Sequence, residues 1–214
     1  MAIKMHDFVE LDYTGKLTNG TIFDTTDEKI AKAARLNRQK FGSVIVCVGE
    51  GHIVSGLDRA LVGKDAGKKF SVSLPCDAAF GKKDAKLIQL VPFSVFKEQR
   101  VAPQPGLVVD IDGTRATILR SSGGRVMVDF NHPLAGKDVV YEITVKRLVT
   151  DASEKIQSYF SMVFPLQSTI AVVGNRATIT LMQQIPLEIT SELSKKLSEI
   201  TGLTVEFSFS DVKK

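Results

Sequence analysis

The stretch Val9-Glu-Leu-Asp-Tyr-Thr-Gly-Lys-Leu-Thr-Asn-Gly-Thr-Ile-Phe-Asp-Thr-Thr26 decides how this 214-residue chain is read. Val9, Leu11 and Tyr13 alternate with Glu10, Asp12 and Thr14, the period of two that buries one side of a strand and leaves the other in water. Asn19-Gly20 supplies a hairpin dipeptide that accepts positive φ. The second strand closes on Phe23-Asp24, an aromatic ring beside a carboxylate. The hairpin therefore predicts a concave face that the rest of the chain roofs, with the function on that face.

Downstream, Asp27 to Lys40 reads as either a short exposed helix or a bulged loop. Ser43 to Val48 is a β-branched strand, broken by Gly49-Glu50-Gly51. Val54, Leu57 and Leu61 fall at helical spacing, and Gly63 is a stop, giving one short buried helix over 54–62. Lys68 to Leu74 returns to strand alternation. Within Leu87 to Gln99, Pro92 marks a first helical position. After the Ala102–Gly106 break, three strand-like runs (107–111, 116–120 and 126–130) are joined by Asp112-Gly113 and Ser121-Ser122-Gly123-Gly124. They form a small β-rich module inserted into the first domain. Asn131 to Lys137 carries the chain back to a long alternating strand over 139–148.

The pattern changes again near residue 150. Asp151 or Ser153 caps a helix to Phe164 with an apolar stripe of Ile156, Phe160 and Val163. Two strands (169–173 and 177–182) flank the Gly174-Asn175 turn. A helix over 191–201, with Thr190 as N-cap and Gly202 past its end, leads to a last strand over 203–209. The predicted domains are 1–83 with 131–150, an insert over 84–130, and an α+β domain over 151–214.

Composition narrows the function. The 28 Lys and Arg against 24 Asp and Glu leave a net charge of +4 with no dense basic block, so no nucleic-acid partner is expected. Cys47 and Cys76 each sit in apolar runs and read as buried free thiols rather than a disulfide. The start of the chain has no signal-peptide core and no window is long enough to span a membrane, so a cytoplasmic protein without a membrane partner is expected. His6, His52 and His132 show no ligand spacing, so neither metal nor cofactor is expected. Gly49-Glu50-Gly51 lacks the Lys-Ser/Thr ending of a phosphate loop, and turn glycines explain it better. No Gly-x-Ser-x-Gly elbow occurs.

An enzyme built from these residues needs a reaction without metal, nucleophile or strong base. Rotation about an Xaa-Pro amide is one. Its barrier is about 18–20 kcal/mol because the C–N bond is partly double. Twisting the amide removes resonance and lowers its charge separation, so a water-poor aromatic pocket favours the twisted form over the planar one.

Four motifs carry a resemblance. Tyr13-Thr-Gly-Lys-Leu-Thr-Asn-Gly-Thr-Ile-Phe-Asp24, Gly49-Glu-Gly-His-Ile-Val-Ser-Gly-Leu-Asp-Arg-Ala-Leu-Val-Gly63, Ala78-Ala-Phe-Gly81 and Asn131-His-Pro-Leu-Ala-Gly-Lys137 resemble those of FKBP-type peptidyl-prolyl cis-trans isomerases. Over about residues 1–150 the chain is most similar to the SlyD-like branch, which has a domain inserted in the flap. The last third looks like the extra domain of long archaeal members. The resemblance implies an α+β fold, an antiparallel sheet curled around the 54–62 helix. It implies a pocket of Tyr13, Phe23, Asp24, Ile53, Val54, Leu57, Phe80 and Tyr141. In that pocket the Val54 N–H binds the substrate carbonyl, Leu57 is the floor, Phe80 sits beside the flap, and Asp24 orients or polarises without carrying a proton.

The departures are specific. Leu57 stands where many members have tryptophan, Phe80 where many have tyrosine, and Val44 at an often aromatic site, so weak macrolide binding is expected. The Ser210-Asp-Val-Lys-Lys214 end carries no histidine-rich tail. Taken singly, the pocket aromatics would read as core residues and Asp24 as a turn cap. Two functions follow. One is an isomerase and folding chaperone whose insert holds unfolded clients through Leu87, Ile88, Leu90, Val91, Phe93, Phe96 and Val108, partly by strand addition. The other is a non-enzymatic holdase or interaction module with a degenerate pocket, which Leu57 and Phe80 favour. Proline-containing or unfolded polypeptides are the expected partners, together with a homodimer through the 151–214 domain if its last strand is an edge.

Overall fold

A computed structural model describes residues 2–37, 40–164 and 166–210. The chain divides into two compact units, one of residues 1–73 with 140–214 and one of residues 74–139. The architecture is mixed α+β with antiparallel sheets and few helices, as the sequence predicts.

In the first unit the opening hairpin forms β1 (Phe8–Leu17) and β2 (Ile22–Thr25). Gly20 takes φ +86°, and Asn19 Oδ1 accepts the Thr21 N–H at 3.0 Å, so the Asn-Gly pair closes the turn as its chemistry requires. β1 also pairs antiparallel with β3 (Val44–Cys47), Phe8 opposite Cys47 and Leu11 opposite Val44. With β4 (Lys69–Leu74) and β9 (Val139–Val149) these strands form a five-stranded sheet ordered β2-β1-β9-β4, with β3 beside β1. The ambiguous segment after the hairpin is a helix, α1 (Glu28–Ala33), because the Asp27 carboxylate caps it by accepting the Lys29 and Ile30 N–H groups. The short buried helix is α2 (Ser55–Leu61), with Val54 and Val62 as its cap residues.

Residues past 150 form α4 (Ala152–Val163), with Asp151 as its cap, and a three-stranded sheet of β10 (Ser168–Val173), β11 (Arg176–Leu181) and β12 (Thr204–Phe209). β12 runs parallel to β11 and is an edge strand. The intervening helix α5 (Leu187–Thr201) starts four residues before the expected Ser191. Pro186 takes the N-cap, and Thr190 lies inside the helix with its hydroxyl donating to the Leu187 carbonyl at 2.9 Å. Periodicity located the apolar stripe but not this first turn, which carries Glu188 at the favourable end of the dipole. Ile156, Phe160, Ile179 and Leu197 share one buried cluster with Phe8 and Cys47, so α4 and α5 close over the outer face of β1 and β3.

Glu50 adds polar contacts to this junction. Its carboxylate, 8% exposed, lies 2.9 Å from Lys196 Nζ and 3.2 Å from His6 Nδ1, and accepts the Tyr159 hydroxyl at 3.2 Å.

The second unit contains β5 (Ile88–Pro92), α3 (Phe93–Glu98), β6 (Val108–Ile111), β7 (Thr114–Ser122) and β8 (Arg125–Asp129) in the sheet order β5-β8-β7-β6. Leu87–Gln99 is thus part strand and part helix. The run Ile88-Gln89-Leu90-Val91 pairs with β8, and Pro92, which has no N–H to continue a ladder, caps α3. Phe96, Ile118, Val126 and Val128 form this unit's own core.

Burial opposes ionisation of Glu50, but the Lys196 hydrogen bond and charge, with the Tyr159 hydroxyl, outweigh it and hold the carboxyl below the usual glutamate range. A lowered folded value contributes stability above the unfolded value, and that contribution is lost as pH falls through the folded one. Glu50→Gln should therefore be less stable than the parent at pH 7 by about 1 kcal/mol, a low figure because Lys196 and His6 are partly exposed. The gap should close on acidification. Urea unfolding at pH 7 and at pH 3 measures it, and a gap that widens in acid contradicts the assignment.

Candidate active site

The hairpin register builds one group of the expected site residues. Thr14 pairs with Thr25 and Gly15 with Asp24, and the register shifts between Gly15 and Lys16. The Thr14 and Thr25 hydroxyls meet at 2.8 Å, and the Tyr13 and Thr26 backbones are bonded to each other, which holds Asp24 opposite β1. The Tyr13 hydroxyl then donates to Asp24 Oδ2 at 2.7 Å. Tyr141, from β9, stands edge-on to Tyr13 and Phe23 with centroids at 6.0 and 5.7 Å. Tyr13, Phe23, Asp24 and Tyr141 are therefore in direct contact.

Gly15 is the residue this arrangement needs and sequence reasoning passed over, although it stands in the quoted motif. A Cβ there would lie 2.6 Å from Phe23 Cζ and 2.9 Å from Tyr141 Cε1. The glycine is a space requirement, since two rings occupy the place of its side chain. Tyr141 is 4% exposed. Burial first, then the neighbouring Tyr13 phenol and the Asp24 carboxylate, pushes its phenol well above the usual range, so it is neutral at physiological pH.

A second group lies at the entry to α2. Ile53 and Val54 are half-buried, Leu57 is fully buried, and the Val54 carbonyl accepts the Leu57 and Asp58 N–H groups at 2.9 and 3.0 Å. The Val54 N–H meets no acceptor among the described residues. The preceding turn is fastened by Asp58, which is 6% exposed and accepts the Gly49 N–H at 2.9 Å and the Gly51 N–H at 3.4 Å. Those two N–H groups are committed to a buried carboxylate, which explains Gly49-Glu50-Gly51 as a structural turn and leaves it no phosphate role.

Phe80 belongs to the second unit, where its ring stacks on His132 at 4.8 Å. Of the insert residues, Leu87, Leu90 and Val108 are exposed and Ile88 is half-buried. Ile88, Asp129, Thr117 and Val108 face one another across the four strands, and Leu90 pairs with Met127 in the next row. Val91 and Phe93 lean on the core, and Phe96 lies within it at 0% exposure. Phe96 is thus a core residue with no surface to offer a client. Met127, 36% exposed between buried Val126 and Val128, is an outer-face residue that the alternation of its strand could have supplied.

Tyr13, Phe23 and Tyr141 thus form one aromatic group with the Asp24 carboxylate beside it, and Val54 opens α2 in the same unit. Residues 1–97 match the family model described as FKBP-type peptidyl-prolyl cis-trans isomerase, and residues 89–134 match one described as FKBP26, IF domain. The chain is 30% identical over 154 residues to the short-type peptidyl-prolyl cis-trans isomerase of Methanocaldococcus jannaschii, covering 71% of this chain and 98% of that one. It is 31% identical over 150 residues to SlyD of Aeromonas hydrophila, covering 69% and 65% of the two chains. With SlyD of Treponema pallidum the identity is 30% over 158 residues, covering 72% and 82%. The chain belongs to the FKBP-type peptidyl-prolyl cis-trans isomerases and is SlyD-like.

Gly15→Ala should force the Phe23 and Tyr141 rings apart, costing about 1–3 kcal/mol as an overpacked site. It should also lower isomerisation of an Ala-Pro peptide. Thermal unfolding and a peptide assay on the same sample test this, and unchanged activity would show that the ring contact is not needed.

Proposed function

We propose that this chain isomerises Xaa-Pro bonds in unfolded or partly folded polypeptides at the aromatic group of the first unit. The observation that carries the reading is the contact of Tyr141 with both Tyr13 and Phe23, with Gly15 leaving room for the Phe23 and Tyr141 rings and Asp24 held by the Tyr13 hydroxyl. In this reading the rings exclude water from the proline ring and the amide. The Val54 N–H holds the carbonyl before proline, and Leu57 is the floor. Planar amide is the more dipolar form, so loss of solvent raises it relative to the twisted form and lowers the barrier. Asp24 acts by its fixed charge, and no proton moves. Phe80 is kept in the proposal on its Ala78–Gly81 motif.

The insert, proposed as residues 84–130 between isomerase segments 1–83 and 131–150, holds clients. Exposed Leu90, Met127 and Val108 on one sheet face support that role, with β5 and β6 as open edges for strand addition. The 151–214 segment is proposed as an α+β domain that forms a homodimer through the free edge of β12. No described helix is long and apolar enough to cross a membrane. A cytoplasmic location, with neither membrane nor nucleic acid as partner, remains part of the proposal. A holdase with a degenerate pocket is the second reading, favoured by Leu57 and Phe80 at positions where larger or hydroxylated rings are usual in the family.

A protease-coupled Xaa-Pro peptide assay separates the two. Acceleration above buffer is expected, with Asp24→Ala and Tyr141→Ala each lowering kcat/KM by about tenfold or more. No acceleration, or no effect of either substitution, supports the holdase. Replacing the insert by a short loop should leave peptide isomerisation largely intact and slow catalysed refolding of a proline-limited protein. Equal loss in both assays would end that division of labour.

A further inference from the structure

The segment that enters α2 is held from two sides, and one of those sides comes from the C-terminal part of the chain. On the inner side Asp58 holds the Gly49 and Gly51 N–H groups. On the outer side Glu50 is held by Tyr159 of α4 and Lys196 of α5, at 3.2 and 2.9 Å, and by His6 at 3.2 Å. His52 follows two residues later. Its ring stands edge-on to Tyr159 with centroids 4.9 Å apart, and its Nδ1 accepts the Cys47 N–H at 3.1 Å. With Nδ1 accepting, the proton of a neutral ring is on Nε2, which is buried and has no hydrogen-bond partner among the described residues. The ring is therefore placed by its Cys47 bond and its packing on Tyr159. Glu50 and His52 precede Val54 by four and two residues, with only Ile53 between His52 and the proposed carbonyl donor.

A nearly buried carboxylate needs its partners, because removing one leaves charge without compensation in a poor solvent. Glu50 keeps its conformation only while α4 and α5 supply the phenol and the ammonium. The same holds for the orientation of His52, which Tyr159 supports through ring contact. We propose that Tyr159 and Lys196 are positioning residues of the isomerase: by seating Glu50 and His52 they set the backbone path through Ile53 and Val54, so the C-terminal helices tune how the pocket grips the substrate carbonyl. The proposal rests on the reading that Val54 N–H is that grip. It assigns the 151–214 segment a part in catalysis that is separate from dimerisation or client binding.

The test uses the full chain. Tyr159→Phe removes the hydroxyl and keeps the ring, Lys196→Met removes the charge at similar volume, and Lys196→Arg keeps charge and donors on Glu50. Initial-rate measurements on a peptide enriched in cis isomer give kcat and KM separately. Lys196→Met is expected to lower kcat/KM by about fivefold, the low end of couplings between separate sites. The change should appear mainly in KM, since a backbone donor grips planar and twisted amide alike. Tyr159→Phe should shift KM in the same direction, and Lys196→Arg should recover most of the loss. Backbone amide resonances of Ile53 and Val54 should move in Lys196→Met and return in Lys196→Arg. Unchanged kcat and KM in both Tyr159→Phe and Lys196→Met, with only the urea midpoint lowered, would overturn the proposal. Phe23→Ala run in parallel distinguishes the failures. If it too leaves the rate unchanged, the pocket reading fails and positioning falls with it; if it abolishes activity while Lys196→Met does nothing, only positioning fails.

Discussion

Strand β1 has neighbours on both edges and buried side chains on both faces, and the first unit depends on that double burial. β9 lies along one edge while β2 and β3 share the other. Val9 and Leu11 are buried on one face, and Phe8 is buried on the other within the cluster that includes Phe160 and Ile179. A slip of one residue would exchange the two sets and drive Glu10 and Asp12 into apolar surroundings. It would also break the pairs that cross to β9, Glu10 with Arg147, Asp12 with Lys146 and Lys16 with Glu142. Each of these pairs is partly exposed and individually weak. Together with two apolar faces they leave β1 a single register, and Tyr13 and Gly15 inherit their positions from it.

The parts of this architecture that are local in the chain were legible. Alternation at Val9, Leu11 and Tyr13 and the Asn19-Gly20 turn specify the hairpin without tertiary help. The same is true of the Gly174-Asn175 turn, whereas the cap of α4 stayed open between Asp151 and Ser153 until the structure gave it to Asp151. Where two local signals competed, the sequence pattern failed. Ile88 to Val91 is mostly apolar with β-branched ends, and Pro92 is equally compatible with the end of a strand and the beginning of a helix. Pairing with β8 decided the first half, and burial of Phe96 decided the second. At α5 the amphipathic stripe begins at Leu193, so the turn before it, capped by Pro186, left no periodic signal.

The site was legible in a different way. Tyr13 and Phe23 share the hairpin while Tyr141 is more than a hundred residues on, each alone looks like a core aromatic, and only the family resemblance placed the three together. The contact itself explains one motif position that the pattern left without a reason, the glycine between Tyr13-Thr14 and Lys16. Glu50 is the opposite case. In the sequence it is one acidic residue between two glycines in a turn, and nothing nearby signals that it is buried. Two of its partners, Tyr159 and Lys196, come from α4 and α5 more than a hundred residues on, and burial of that kind is visible only in three dimensions. The insert lies between these cases. Strand alternation separates inner Val126 and Val128 from outer Met127, whereas Phe96 is drawn inward by its helix, which sequence alone did not reveal.

A reaction that moves no proton and forms no covalent bond constrains this fold unusually. The reaction uses no nucleophile whose strength could be adjusted by a neighbouring charge, and Tyr141, in the aromatic group, is shifted toward remaining neutral. Differences in rate among such sites must come from shape, from the dryness of the face, and from where the backbone presents its donor. In the proposed pocket, Leu57 in place of a larger ring would loosen the floor and give more weight to the remaining constraints on the peptide. The path of the chain through Ile53 and Val54 is one of these. It is fixed by Asp58 inside the unit and by Glu50 at the junction with α4 and α5. In the proposed reading, charged groups act on an apolar site through the backbone they hold in place. A fold with little electrostatic chemistry at its pocket can still be tuned by ion pairs outside it.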